Sequence, residues 1–236
     1  MPNKDQAAPL AVVTGGGTGI GRAVAEFLTA GGYAVIALGL DRDADLPADI
    51  AFHTVDITDT AASIAALPEG RPVAALVNCA GMLRHQQEWE TEAFEQVMRV
   101  NLTAGFALAN ALLARLEAAS GAIVNVASMW AIFGSPGAPA YTASKAAVAA
   151  VTRSQAVAWA GRGIRVNSIA PGWVETKISE KARTDAARAE RINARIPMAR
   201  WAKPAEVASV VRFLLSQDAA YITGAMIPVD GGYSVC

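Results

Sequence analysis

The sequence predicts a single-domain α/β protein: a doubly wound parallel sheet with helices on both faces. Apolar runs alternate with helical patterns along the chain. These runs are apolar throughout, which marks strands buried on both faces. No repeat, charge block or low-complexity linker breaks the 236 residues, a length that suits one such domain. A chain of this length buries roughly 70% of its unfolded surface and needs no disulfide or metal staple. Strands spaced by helices in this order give the doubly wound architecture.

Leu10–Thr14 reads as the first strand and Gly21–Ala30 as the helix that follows. Ala34–Leu38, Ala51–Val55, Ala74–Asn78, Ala122–Ala127 and Gly163–Ile169 are further strands, and Met226–Val229 is the last. Thr91–Leu116, Tyr141–Ala160 and Pro204–Leu215 carry long helical patterns. One link is unusual. Only about nine residues, Asp41 to Asp49, join the second and third strands, whereas a parallel crossover usually takes a dozen or more. Pro47 and the aspartates make it a loop, leaving one face of the sheet without the usual helix.

Composition narrows the function. Hydrophobic residues make up 53% and charged residues 17%, so the chain is globular. A formal net charge of −1 gives nothing to attract nucleic acid or an anionic membrane. Cys79 and Cys236 have neither metal-site nor disulfide spacing, and His53 and His85 lack ligand spacing. Met1–Pro9 has no apolar leader core, and no apolar run approaches the ~18 residues of a membrane span. The expected setting is the cytoplasm.

Chemistry starts at Thr14-Gly15-Gly16-Gly17-Thr18-Gly19-Ile20-Gly21, between the first strand and its helix. Glycines permit a tight turn and close approach of a pyrophosphate, which the helix N-terminus then receives with free N–H groups. Farther on, Tyr141 and Lys145 are four apart at the start of a helix and share a face. A nearby ammonium favours the phenolate and lowers the tyrosine pKa toward a value useful for proton exchange with an alcohol or carbonyl oxygen. Ser128 ends a strand, where ligands of open α/β sheets bind, and its hydroxyl can donate to a substrate oxygen. Asn101 sits mid-helix, a costly place for asparagine.

The spacing G-x-x-x-G-x-G after a threonine, with Ser128, Tyr141 and Lys145, resembles the classical short-chain dehydrogenase/reductase (SDR) family over essentially the whole chain. The resemblance implies a Rossmann-like fold and an NAD(P)-dependent oxidoreductase acting on CH–OH groups. It implies a catalytic set of Ser128, Tyr141, Lys145 and Asn101, the last in a helix irregularity that places a water beside the lysine. Gly15, Gly17, Thr18, Gly19 and Ile20 would then hold the pyrophosphate, and Asp56 and Ile57 would contact adenine. Asn78-Cys79-Ala80-Gly81 resembles the family's Asn-Asn-Ala-Gly; Cys79 is the departure, expected to be buried and inert. Pro171, Gly172, Val174 and Thr176 match the loop that holds the nicotinamide carboxamide. Tyr141 and Lys145 would also touch the cofactor. Residues 177–198 would form a substrate lid, and Asp230-Gly231-Gly232-Tyr233 matches a terminal motif common at subunit contacts.

Cofactor choice rests on the end of the second strand. The family's usual acidic position falls on Gly39, followed by Leu40, Asp41 and Arg42. Asp41 on the ribose hydroxyls favours NAD; Arg42 on a 2′-phosphate favours NADP. NAD is preferred here because Asp41 lies nearer the strand, and NADP stays open. The pocket walls are Met82–His85, Met129, Trp130, Trp173 and the lid. They suit a small-molecule sugar, polyol, hydroxy acid or 3-oxoacyl thioester. A non-catalytic nicotinamide-binding or scaffold protein is the rival reading, but it predicts damage at Ser128, Tyr141 or Lys145, and all are intact. Apolar residues on several faces of the two long helices predict a homotetramer or homodimer.

Overall fold

The computed structural model describes residues 8–236; most of the Met1–Pro9 stretch lies outside them. Seven parallel strands form one sheet in the order β3-β2-β1-β4-β5-β6-β7. They are β1 (Leu10–Thr14), β2 (Ala34–Gly39), β3 (Ala51–Thr54), β4 (Val73–Asn78), β5 (Ala122–Val126), β6 (Arg165–Pro171) and β7 (Met226–Val229). The helices are α1 (Gly19–Ala30), α2 (Thr60–Ala65), α3 (Thr91–Met98), α4 (Ala104–Ala111), α5 (Leu113–Ala118), α6 (Pro139–Trp159), α7 (Glu180–Thr184), α8 (Ala186–Arg195) and α9 (Pro204–Leu215). The predicted fold class holds. Among the described residues no helix is long and apolar enough to cross a membrane.

Side-chain alternation sends each strand's residues to two cores. One face packs Val13, Val35 and Val77 against Val24 and Leu28 of α1 and Val211 and Leu214 of α9. The other packs Val12, Leu76 and Ile123 against Leu108, Leu116 and Trp159. A third, smaller cluster joins Met129, Ala182, Ile192, Ile196, Trp201 and Tyr233 above the carboxyl ends of the strands. Fully burying side chains of this size contributes roughly 1.5–3 kcal/mol each.

The β2–β3 link contains no helix, as expected. Ile50, buried, and Leu46 and Phe52, partly buried, join the α1-side core in its place. Three elements differ from the sequence reading. The helix α2 went unread: it is only six residues long, capped by the Asp59 carboxylate on the Ala62 N–H at 2.9 Å. The Thr91–Leu116 pattern is interrupted twice, by a π turn at Arg99–Thr103 and by a break at Leu112. The β6 strand runs from Arg165 to Pro171, shifted two residues toward the C-terminus from Gly163–Ile169; Gly163, with a left-handed φ of 74°, lies before its start.

The order places β1 and β4 side by side while their connections leave toward opposite edges. That is the switch point at which open α/β sheets leave a crevice.

Candidate active site

The crevice is a cleft of about 910 Å³. Its floor is set by two loops pressed together. The Thr14 hydroxyl accepts the N–H groups of Cys79 (3.1 Å) and Ala80 (3.2 Å). Gly15, with φ +67°, lies so close that a Cβ would stand 2.9 Å from the Ala80 backbone. A side chain at Gly17 would collide with the Asp41 carbonyl and the Phe52 ring. The next helix, α1, starts without an acidic residue in its first turn and without a side-chain cap from Thr18. Gly15, Thr18, Gly19 and Ile20 border the cleft. Free N–H groups, the positive end of a helix dipole and no competing carboxylate fit a pyrophosphate.

At the other end Ser128 follows β5 and its Oγ accepts the Trp130 N–H at 3.2 Å. Tyr141 and Lys145 lie on the first turns of α6, and all three residues border the cleft. The Lys145 Nζ donates to the Val126 carbonyl at 2.7 Å and stands 5.6 Å from the centre of the Tyr141 ring. Asn101 sits inside the π turn. Its Nδ2 donates to the Met82 carbonyl (3.0 Å) and to the Ser144 hydroxyl (3.1 Å), and its Oδ1 accepts the Met82 N–H (2.7 Å). A Cβ on Gly81 would stand 3.5 Å from Lys145 Nζ and 3.4 Å from Asn101 Oδ1. The predicted set therefore converges, with Asn101 behind Gly81.

Burial dominates the electrostatics. Desolvation pushes the Tyr141 phenol up to about 12; a hydrogen bond from Ser128 opposes this, while Cys79 and Glu88 add to it. Desolvation also pushes Lys145 down to about 8. The expectation that Lys145 lowers the phenol pKa is thus corrected for the protein's own groups: burial raises it, and the opposing contribution comes from Ser128. Cys79 is likewise half-buried and borders the cleft, rather than being wholly enclosed. Its thiol is pushed up to about 11 by burial, so it stays protonated at neutral pH.

The remaining residues divide. Ala80, Gly81, Pro171, Gly172, Val174 and Thr176 border the cleft. Asn78 lies beneath it and donates to Asn125 Oδ1 at 2.8 Å. Asp41 and Asp56 are exposed outside the cleft walls, and the Asp56 carboxylate turns onto the Thr58 N–H (2.9 Å) and hydroxyl (2.8 Å). Ile57 is buried in the second core. The Asp230 carboxylate accepts the N–H groups of Gly232 (3.0 Å) and Ser234 (2.9 Å). Gly172 packs against Asp230 so closely that a Cβ would stand 2.7 Å from its Cα. The terminal motif therefore buttresses the loop that begins at Pro171.

Sequence reasoning missed Glu88, a carboxylate almost wholly buried. Its Oε2 accepts the Tyr141 N–H at 2.8 Å and its Oε1 the Arg84 N–H at 2.9 Å. One side chain thus caps the catalytic helix α6 and pins the loop after β4. No spacing marks it, since 53 residues separate it from Tyr141.

Lys145 gives a test of this electrostatic picture. A lysine whose folded pKa lies below its unfolded value binds fewer protons when folded. Stability therefore rises as pH climbs through about 8. Urea unfolding between pH 7 and 9 should show a gain of ~1 kcal/mol in the wild type. The gain should be missing in Lys145→Met. Cys79, pushed up, acts in the opposite sense from about pH 8 and trims the gain equally in both proteins, and Tyr141 does so only above about 9. A wild-type profile as flat as the variant's would refute the desolvated lysine.

The chain is similar to known proteins over nearly its whole length. A family model described as enoyl-(acyl carrier protein) reductase matches residues 15–234. The chain is 42% identical to galactitol 2-dehydrogenase (L-tagatose-forming) of Cereibacter sphaeroides, over 95% of this chain and 94% of that one. It is 37% identical to 2-dehydro-3-deoxy-D-gluconate 5-dehydrogenase of Bacillus subtilis, over 94% and 93%. A solved structure from Beutenbergia cavernae, provisionally assigned as an NAD(P)-dependent gluconate 5-dehydrogenase and holding NADP at low occupancy, superposes with a TM-score of 0.90. It is 37% identical over 98% of both chains. The chain belongs to the short-chain dehydrogenase/reductase family, oxidoreductases that act on alcohol and carbonyl groups with a nicotinamide dinucleotide.

Proposed function

We propose that this chain interconverts a secondary alcohol and its carbonyl on a small polyhydroxylated substrate, with Tyr141 as the general acid/base. The observation that carries this is the convergence of Ser128, Tyr141 and Lys145 on one cleft whose far end is the α1 N-terminus. The bound dinucleotide supplies the hydride acceptor in one direction and the donor in the other. Ser128 donates a hydrogen bond to the substrate oxygen as charge develops there. Tyr141 exchanges the proton with that oxygen; its raised pKa keeps it protonated at neutral pH, the state that serves carbonyl reduction. Lys145 offers its remaining N–H groups to the nicotinamide ribose and favours the phenolate when the alcohol is oxidised. Asn101, fixed at three points inside a π turn, positions a proton path beside Lys145.

Gly15, Gly17, Thr18, Gly19 and Ile20 hold the pyrophosphate. Asp56 and Ile57 lie toward adenine, and Asn78, Ala80 and Gly81 line the middle. Pro171, Gly172, Val174 and Thr176 fix the carboxamide. NAD is the preferred cofactor. Arg42 lies over the Phe52 ring at 5.8 Å, Arg22 is paired with Asp43 and Asp45, and Lys177 with Asp43. Among the described residues Arg22 and Lys177 are thus held by carboxylates, whereas Asp41 has no cationic partner and faces the ribose hydroxyls ahead of Arg42 in the chain.

Residues 177–198 serve as a lid. Ala182, Ile192 and Ile196 pack over Met129 and Trp201. Arg195 ties this stretch to the C-terminal segment by a 2.9 Å bond to the Tyr233 hydroxyl. Assembly as a homotetramer or homodimer is supported by Phe106 on α4 (47% exposed) and Val157 on α6 (85%), and by the free edge of β7. Cys79, a free thiol facing the cleft, suits a reducing, cytoplasmic setting.

Tyr141→Phe should lower turnover by ~10²-fold or more with cofactor affinity little changed; near-normal turnover sinks the assignment. Catalytic efficiency should be higher with NAD than with NADP, and Asp41→Ala should weaken NAD more than NADP. A wild-type preference for NADP would reverse that reading. Light scattering at micromolar concentration should report a dimer or tetramer, and a monomer alone would refute the assembly.

A further inference from the structure

We propose that the substrate carries a carboxylate, held by Arg84 and Arg188 at the end of the cleft beyond Tyr141. The proposal rests on the redox reading above and narrows it to hydroxy or keto acids of the sugar-acid type.

The chain has 21 aspartates and glutamates, yet none borders the cleft. Five basic side chains do: Arg84, Lys145, Lys177, Lys181 and Arg188. Two are accounted for. Lys145 donates to the Val126 carbonyl, and Lys177 pairs with Asp43 at 2.8 Å. The side chains of Arg84, Lys181 and Arg188 have no acidic partner among the described residues.

Their place is the substrate end. Glu88 holds the Arg84 backbone N–H with one oxygen and the Tyr141 N–H with the other, so the Arg84 main chain is fixed beside α6 while its side chain, exposed, borders the cleft. Arg188 is half-buried on α8, four residues before Ile192 and on the same face. Ile192 packs in one cluster with Met129, which directly follows Ser128. The pyrophosphate would sit at the opposite end, on α1, and cannot neutralise these groups. Arginine and lysine side chains only donate, so these three groups are better matched by an anion than by a hydroxyl. Like charges gathered without a counter-ion repel one another, and a single anion relieves them. A guanidinium fork matches both oxygens of a carboxylate.

The test compares sugar acids with their alditol twins: gluconate with sorbitol, galactonate with galactitol, mannonate with mannitol, threonate with threitol. Binding to the intact protein is read by quenching of tryptophan fluorescence, since Trp130 and Trp173 border the cleft. Oxidation is read separately by absorbance of the reduced nicotinamide. In at least one pair the acid should bind ~10-fold more tightly than its twin. Arg188→Gln, and separately Arg84→Gln, should erase most of that preference. An alditol that binds as tightly as its acid in every pair would overturn the proposal. So would a sugar phosphate that binds more tightly than every acid. A loss shared equally by acid and alditol in both variants, as a misfolded lid would give, counts against it too. Acids that bind selectively but are never oxidised would refute the redox reading and leave the carboxylate site standing.

Discussion

The site depends on how closely two loops approach at the switch point between β1 and β4. The Thr14 hydroxyl takes both N–H groups at Cys79 and Ala80, drawing the loop after β4 onto the loop after β1. That contact leaves no room for a Cβ at Gly15, and the Gly15 N–H is itself held by the Leu38 carbonyl of β2 at 2.7 Å. Three strands thus fix one turn. The turn in turn aims the α1 N-terminus into the crevice. A methyl group at position 15 would push the loops apart, and the cleft floor and the anion site would shift together.

The catalytic end is built by the same device, in which short polar ties cross between elements far apart in sequence. Asn101 fixes Met82 to α6 through Ser144, Glu88 fixes Arg84 to Tyr141, and Lys145 reaches back to Val126. Each tie satisfies a buried polar group that would otherwise cost free energy. The π turn is part of this scheme. Within it Asn101 bonds both the N–H and the carbonyl of Met82 and stands beside Gly81. Rigid placement of this kind matters because proton exchange needs heavy atoms within hydrogen-bond reach.

Much of this was legible in the sequence because it is local. The glycine turn, the Tyr141–Lys145 step on one helix face and the strand end at Ser128 are each encoded within a few neighbouring residues. The missing helix between β2 and β3 was also readable, from length and Pro47 alone. What escaped is non-local. The link from Glu88 to Tyr141 exists only once α6 and the loop after β4 are side by side. The pKa of Tyr141 turned on burial, which spacing does not report, so the ammonium was given too much weight. The break at Leu112 hides inside an unbroken apolar pattern, since Leu112 is fully buried and reads as helix from either side. Asp56 marks a motif, but its carboxylate is satisfied by its own Thr58.

The short β2–β3 link shows how packing replaces an absent helix. Without it, Ile50, Leu46 and Phe52 must cover the α1-side face of β2. Phe52 comes to rest where only a glycine at position 17 fits, so the link and the pyrophosphate turn are one packing unit. The ion pairs on the link are largely exposed and add little stability of their own. Their value is directional. Asp43 accepts both Arg22 from α1 and Lys177 from the start of the 177–198 stretch. The same carboxylate therefore ties the β2–β3 link both to α1 and to the start of the 177–198 stretch.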